Sequence, residues 1–289
     1  MAFLKKVRIK MKLNLGCHLS VSGGYENMGK TALSVGANTF QFFTRNPRGG
    51  SFKPPTDEDI ENLVRLMEEN DFAPIIAHAP YTFNPCAADE GIRDYTKNTM
   101  TNDVRLLDKI PLAYYNFHPG CHVSQGVDVG IEKTTDTLNT ILANTQRTIV
   151  LIETMAGKGT EIGKTFEEIA KIIEGVDKKE RVGVCLDTCH VHDGGYDISN
   201  DSDAIFKHFD NVIGIDKLKA IHLNDTKNVL NAHKDRHEKI GQGYLTLDGI
   251  IKIITHPVVR NLPICLETPN DLDGYANEIR LLKEAVANL

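Results

Sequence analysis

Val182-Gly183-Val184-Cys185-Leu186-Asp187 is a short apolar run that closes on a carboxylate, and it is one of eight such runs in the chain. Thr148-Ile149-Val150-Leu151-Ile152-Glu153 precedes it in the same form, and Leu218 to Ile221 before His222 and Pro263 to Leu266 before Glu267 follow it. Upstream lie Leu13 to Cys17 before His18, Asn38 to Phe43, Pro74 to Ala77 before His78, and Ala113 to Phe117 before His118. Seven of the eight thus end on His, Asp or Glu. Short apolar runs of this kind read as buried parallel strands, and chemically active side chains at strand ends are the mark of a catalytic barrel rim.

The segments between the runs have helical spacing: roughly 24–35, 57–70, 90–109, 128–146, 163–175, 199–213, 245–254 and 271–287. In the fourth, Ile131, Leu138, Ile141 and Leu142 fall on one stripe suited to packing on a sheet. Ile162, Phe166, Ile169, Ile172 and Ile173 do the same in the fifth. Strand and helix alternating eight times predict an α/β protein, a single-domain (β/α)₈ TIM barrel, and 289 residues is an ordinary length for one. The barrel is expected over residues 13–289. Residues 1–12 carry Lys5, Lys6, Arg8, Lys10 and Lys12 without an acid, and Met11 is a second start residue, so we read them as an N-terminal extension.

With 41% hydrophobic and 25% charged residues the composition is that of a water-soluble globule, and no apolar stretch approaches the roughly 18 residues that span a bilayer. A net charge of −6 argues against non-specific coating of nucleic acid, which depends on Lys and Arg neutralising phosphates. It does not exclude a local groove lined by metal ions, each of which adds positive charge where a phosphate docks. The scattered cysteines Cys17, Cys86, Cys121, Cys185, Cys189 and Cys265 read as reduced core thiols, which with the absence of a secretory signal suggests a cytoplasmic protein.

Glu153, Asp187, His222 and Glu267 end the fifth to eighth runs and should project into one mouth, where three carboxylates and an imidazole repel one another unless a cation sits between them. His78 and His118, beside Glu153 around the rim, make a second donor set whose imidazoles favour zinc over magnesium. His190, three residues beyond Asp187, and Asp235-Arg236-His237 suggest a third, on the view that an extended turn points Asp235 and His237 the same way. A solvated loop is the competing reading there. His18 points into the mouth, in a place suited to a phosphate or substrate contact, and His122 is expected near the rim; His192, His208, His233 and His256 read as surface imidazoles. Clustered zinc ions suit phosphate-ester hydrolysis, because they acidify a shared water and hold the ester in line, and zinc has no redox chemistry.

Asn116-Phe117-His118-Pro119-Gly120, Glu153-Thr154-Met155-Ala156-Gly157, Gly183 to His190, His222-Leu223-Asn224-Asp225 and Asp235-Arg236-His237 together resemble the endonuclease IV family of apurinic/apyrimidinic endonucleases, over about His18 to Glu267. The resemblance implies a xylose-isomerase-like barrel with three zinc ions, Mn²⁺ being able to replace one, that cuts duplex DNA 5′ to an abasic site and leaves a 3′-hydroxyl and a 5′-deoxyribose phosphate. By it, one zinc is held by His78, His118 and Glu153, a second by Glu153, Asp187, His222 and Glu267, and a third by His190, Asp235 and His237; Glu153 is also the catalytic residue. Arg48 matches the family's inserting arginine and Tyr81 its stacking aromatic, while Thr82 stands where the family has leucine and Gly49-Gly50 replace bulkier neighbours. A monomer acting on abasic-site DNA, with trimming of blocked 3′ ends as a further activity, is the expectation. A one-metal sugar isomerase on a related barrel is the nearest alternative, since the quartet around Glu153 would serve it equally; a lesion-binding protein with structural zinc is another.

Overall fold

Eight strands close a parallel barrel in a computed structural model that describes residues 12–47 and 52–289. In chain order these are β1 (Asn14–Leu19), β2 (Gln41–Phe43), β3 (Ile75–His78), β4 (Ala113–Phe117), β5 (Ile149–Glu153), β6 (Val182–Asp187), β7 (Leu218–His222) and, after a short antiparallel pair β8 (Asp225–Thr226) and β9 (His237–Glu238), β10 (Pro263–Leu266). Closure comes from β1, which pairs with β10 through Gly16–Cys265 on one side and with β2 through His18–Gln41 on the other. Between β6 and β7 the register shifts at Val184/Cys185, which sets Asp187 level with His222.

Side chains two apart on a strand share a face. Ile76, Leu151, Cys185, Ala220 and Cys265 form a small apolar cluster of their own, and each stands two positions before His78, Glu153, Asp187, His222 or Glu267. The chemically active groups therefore rest on an apolar plug inside the barrel. The larger core lies outside it, between the strands and the surrounding helices.

Helices α1 (Tyr25–Ser34), α2 (Asp57–Glu69), α3 (Glu90–Leu107), α4 (Val127–Ala143) and α5 (Phe166–Glu174) follow the first five strands. After β6 come a six-residue helix α6 (Thr188–Asp193) and then α7 (Ser202–Val212), and the ring ends with α8 (Thr246–Thr255) and α9 (Leu272–Ala287). The stripes predicted on α4 and α5 are buried, Ile162 included although it precedes α5. Thr56, Asp89, Thr165, Asp201 and Asp271 each accept a hydrogen bond from the N–H three residues on, and such caps contribute about 1 kcal/mol apiece.

The single-domain (β/α)₈ barrel expected from the runs is the fold observed. Two features were not anticipated: α6, and the β8–β9 pair between β7 and α8. All six cysteines are free, five buried and Cys121 half-buried. Residues 1–11, most of the expected extension, and Arg48, Gly49 and Gly50 lie outside the described residues.

Candidate metal centre

Glu153 is fully buried at the middle of the rim. Its Oε2 lies 3.0 Å from His78 Nε2 and 3.4 Å from His118 Nε2, while Oε1 lies 3.2 Å from His222 Nδ1 and 3.3 Å from His190 Nδ1. His222 Nδ1 is also 3.3 Å from Glu267 Oε2. Farther round, Asp235 Oδ1 is 3.2 Å from His190 Nε2 and 3.3 Å from His237 Nε2. Among the groups of donor atoms that lie within 4.8 Å of one another are three adjoining ones, His78, His118 and Glu153; Glu153, Asp187, His222 and Glu267; and His190, Asp235 and His237; two more, His78, His222 and Glu267, and Asp187, Cys189 and His237, overlap them. The structure thus brings together all nine groups singled out in the sequence, and Glu153 belongs to two sets.

Strand and helix geometry explains how they arrive. Asp187 ends β6 and caps α6, its Oδ1 accepting from His190 N at 2.7 Å, so one turn of helix carries His190 back over the rim. Asp235 does not sit in an extended turn as the spacing suggested: its φ is 54°, in the left-handed region, and the bend turns its carboxylate toward His190.

The donor set fits a cation. His78 Nδ1 lies 2.5 Å from the Ala79 carbonyl, His190 Nδ1 2.8 Å from that of Thr154, and His237 Nδ1 3.2 Å from that of Glu267. With Nδ1–H donated to a carbonyl, each ring turns a bare Nε2 lone pair into the cluster, the arrangement by which second partners fix metal-binding imidazoles. His237 Nε2 is buried, its 3.3 Å approach to Asp235 Oδ1 being an ion-pair contact and not a hydrogen bond, and His222 turns Nδ1 to Glu153 and Glu267. At 4.8 Å and an effective dielectric of 20, two carboxylates repel by about 3.5 kcal/mol, so Glu153, Asp187 and Glu267 need positive charge among them.

In its absence the imidazoles supply that charge. Burial alone would lower His118, His190, His222 and His237, but neighbouring groups outweigh it, Glu153 at His118, Asp187 and Asp235 at His190, Cys185 and then Glu267 and Glu153 at His222, and Asp235 at His237, which rises to about 9. Burial would raise Glu153 and Glu267, yet His222 above all holds Glu153 well below the carboxylate range and Glu267 at about 2. Asp187 goes the other way, raised by burial despite His190 and His237.

Several supporting groups were quoted in the sequence without a role or passed over. Asn116 Nδ2 donates to Glu153 Oε2 at 2.5 Å, and Asn224 Nδ2 to Asp187 Oδ2 at 2.7 Å and Glu267 Oε2 at 3.4 Å. Gln41 Nε2 donates to Glu267 Oε1. Period-two spacing was the available signal, since Asn116 precedes His118 by two and Asn224 follows His222 by two.

Beside the cluster a cavity of about 1100 Å³ opens, lined among the described residues by His18, Phe43, Arg45, Phe52 and Tyr95 with others. His18, lowered to about 4 mainly by burial, lies with its ring centroid 4.5 Å from that of Phe43 in a tilted contact, and Phe43 in turn meets Tyr81 edge-on at 6.0 Å. Tyr81 is 51% exposed, so its ring is free to meet a partner. Thr82 Oγ1 donates to the Pro47 carbonyl, immediately before Arg48, and Arg45 binds the buried Asp103 while its guanidinium lies 4.0 Å over the Phe52 ring. Among the remaining histidines, His122 accepts from Gly126 N and stands outside the cluster. His208 and His256 pair with Glu167 and Asp203 at the surface, and His233 is half-buried on the Ala156 carbonyl. His192, expected at the surface, is instead buried with both ring nitrogens unpartnered, because the loop after β8 packs over α6.

A closed parallel barrel with a polydentate rim is the architecture of xylose-isomerase-like TIM barrels, and residues 30–285 match that family. The chain is 58% identical over 273 residues to the probable endonuclease 4 of Alkaliphilus oremlandii (strain OhILAs), covering 94% of this chain and 97% of that protein. The crystal structure of endonuclease IV from Thermus thermophilus superposes with a TM-score of 0.85 at 26% identity, covering 96% of this chain and 100% of that one. The chain belongs to the endonuclease IV family and is a hydrolase of the nuclease class. D-psicose 3-epimerase from Clostridium cellulolyticum H10 shares the fold at a TM-score of 0.64 and 13% identity, a likeness of architecture alone.

Proposed function

We propose that the protein is a zinc-dependent DNA-repair endonuclease that hydrolyses the phosphodiester 5′ to abasic sites in duplex DNA, leaving a 3′-hydroxyl and a 5′-deoxyribose phosphate, and that it also trims blocked 3′ ends. The observation that carries this reading is the third donor set, His190, Asp235 and His237, adjoining the two that share Glu153. A one-metal isomerase has no use for it.

His78, His118 and Glu153 would hold one zinc, Glu153, Asp187, His222 and Glu267 a second, and His190, Asp235 and His237 a third, with Mn²⁺ able to serve at one position. Bound there, the ions supply acidified water and positive charge for the phosphate oxygens at both ends of the breaking bond. Glu153 is the catalytic residue: it joins two donor sets, and Asn116 Nδ2 holds it in place by donating to Oε2. Asn224 bridges Asp187 and Glu267 by donating to both. The apolar plug beneath excludes water from below, which keeps these electrostatic interactions strong.

His18, Arg48 and Tyr81 are the DNA contacts in this reading. An abasic nucleotide has no base to unstack, so it costs little to swing out of the duplex, and that difference favours the lesion. The exposed Tyr81 ring beside Phe43 and His18 offers a stacking surface at the pocket edge. The domain over 13–289 acts as a cytoplasmic monomer; among the described residues no helix is long and apolar enough to cross a membrane.

The test is incision of a duplex bearing one tetrahydrofuran site by the native and the chelator-stripped protein. Cleavage 5′ to the site, lost on stripping and regained with zinc, is the expected result. Retention of the duplex without scission supports a lesion-binding protein instead and overturns the proposal.

A further inference from the structure

We propose that Asp193 is a positioning residue that assembles the third donor set, an inference that rests on the three-cation reading above. Asp193 is fully buried at the end of α6, three residues after His190. It touches none of the nine donor groups through its own side chain except by way of backbone: its Oδ2 accepts from the backbone N–H of Asp235 at 2.9 Å. The same oxygen accepts from Asn228 Nδ2 at 2.7 Å, and Oδ1 accepts from the Thr226 hydroxyl at 2.9 Å. One carboxylate therefore ties the start of the β8–β9 connection to its end.

The connection needs such a tie. Asn231, His233 and Asp235 all have positive φ, at 65°, 53° and 54°, a conformation that side chains other than glycine hold only where the surroundings dictate it. The backbone N–H of each of these three residues is bound by α6: Asn231 N by the His192 carbonyl at 3.1 Å, His233 N by the Asp193 carbonyl at 3.0 Å, and Asp235 N by the Asp193 side chain. Two of those acceptors are main chain and survive any substitution. The third, at the residue that carries a donor, depends on the side chain of Asp193 alone. So α6 supplies His190 directly and fixes Asp235 through Asp193, while Thr226, which donates to Asp193, is the residue that pairs with His237 in the β8–β9 ladder.

The chemistry is hydrogen bonding, with no role for the charge. An asparagine in place of Asp193 can turn its oxygen to Asp235 N and Asn228 Nδ2 and its amide to the Thr226 oxygen, preserving all three contacts. Alanine removes them together. Loss of a group that orients ligands typically weakens metal binding 10- to 100-fold.

The full-length wild type, Asp193→Ala and Asp193→Asn are stripped with a chelator, titrated with Zn²⁺ alone against a chromophoric competitor, and reloaded with Co²⁺ to record the visible ligand-field spectrum. Amide hydrogen exchange at 231, 233 and 235 is measured in the metal-free state. The expected result for Asp193→Ala is two zinc ions bound as in wild type, a third weakened by roughly 10- to 100-fold, an altered Co²⁺ band for that ion, and faster exchange at Asp235 than at 231 and 233. Asp193→Asn should restore both the third affinity and the protection. Should Asp193→Ala not fold, Thr226→Val, which removes one tether of the carboxylate, carries the same test with a smaller change in the same direction. Unchanged third-ion affinity with unchanged exchange at Asp235 overturns the role of Asp193. A wild type that binds fewer than three ions overturns the three-cation reading, while exchange at Asp235 still reports on the anchor.

Discussion

Replacing Glu153 by glutamine removes one negative charge and almost no volume. Four imidazole nitrogens lie 3.0 to 3.4 Å from its two oxygens, so any cation drawn into this site interacts with that charge at close range. At about 4 Å and an effective dielectric of 20, one unit charge contributes roughly 4 kcal/mol to a neighbouring unit charge, equivalent to about three powers of ten. Glu153→Gln should therefore lower incision at least about 10³-fold, by weakening the cations it joins and by losing its own part in the reaction. The fold should persist, because the amide oxygen of glutamine still accepts from Asn116 Nδ2 and the buried plug below is untouched. Single-turnover incision of a tetrahydrofuran duplex, with circular dichroism and metal content on the same samples, measures all three consequences. Incision within a few-fold of wild type by a folded variant would refute the assignment of Glu153 as the shared, catalytic group.

Asn224→Ala leaves Asp187 and Glu267 without their common donor and should weaken zinc binding by roughly 10- to 100-fold, read by competition with a chromophoric chelator. His237 lies at about 9 in the metal-free chain, so zinc binding below that pH must displace its proton; calorimetry in buffers of different ionisation enthalpy should show more protons released at pH 7 than at pH 10, and affinity falling as pH falls. Asp108, at the end of α3, would be raised by burial, but the N–H groups of Arg147, Gln146 and Thr148 and the Thr148 hydroxyl outweigh this and hold its carboxyl below the usual range. A depressed folded pKa stabilises above the unfolded value of about 4 and the benefit is lost as pH falls through the folded one, so Asp108→Asn should lower the melting temperature at pH 7 and the difference from wild type should shrink as the pH is lowered below about 4.

Much of this was legible in the chain because the barrel repeats one unit. Each run ends where its strand ends, and period two puts the terminal side chain on the inner face, so residues as distant as His78 and Glu267 could be placed in one mouth without any contact information. Helices α4 and α5 declared themselves through a single apolar stripe each. What did not show was whatever depends on closure or on loop backbone. Gln41 and Glu267 are 226 residues apart and meet only because β1 joins both β2 and β10. The left-handed backbone at Asp235 lacks a glycine to announce it, so the extended turn was the natural but mistaken reading. His192 looked like a surface imidazole since nothing in its local pattern reveals the loop that covers it.

The central claim is that nine imidazole and carboxylate groups hold a cluster of cations that cuts DNA. Anomalous diffraction at the zinc absorption edge, on crystals of the zinc-loaded protein, tests it most directly. The account predicts three separate peaks, one in each of the donor sets, with Glu153 between two of them. A single peak among Glu153, Asp187, His222 and Glu267, with His190, Asp235 and His237 bare, would contradict it.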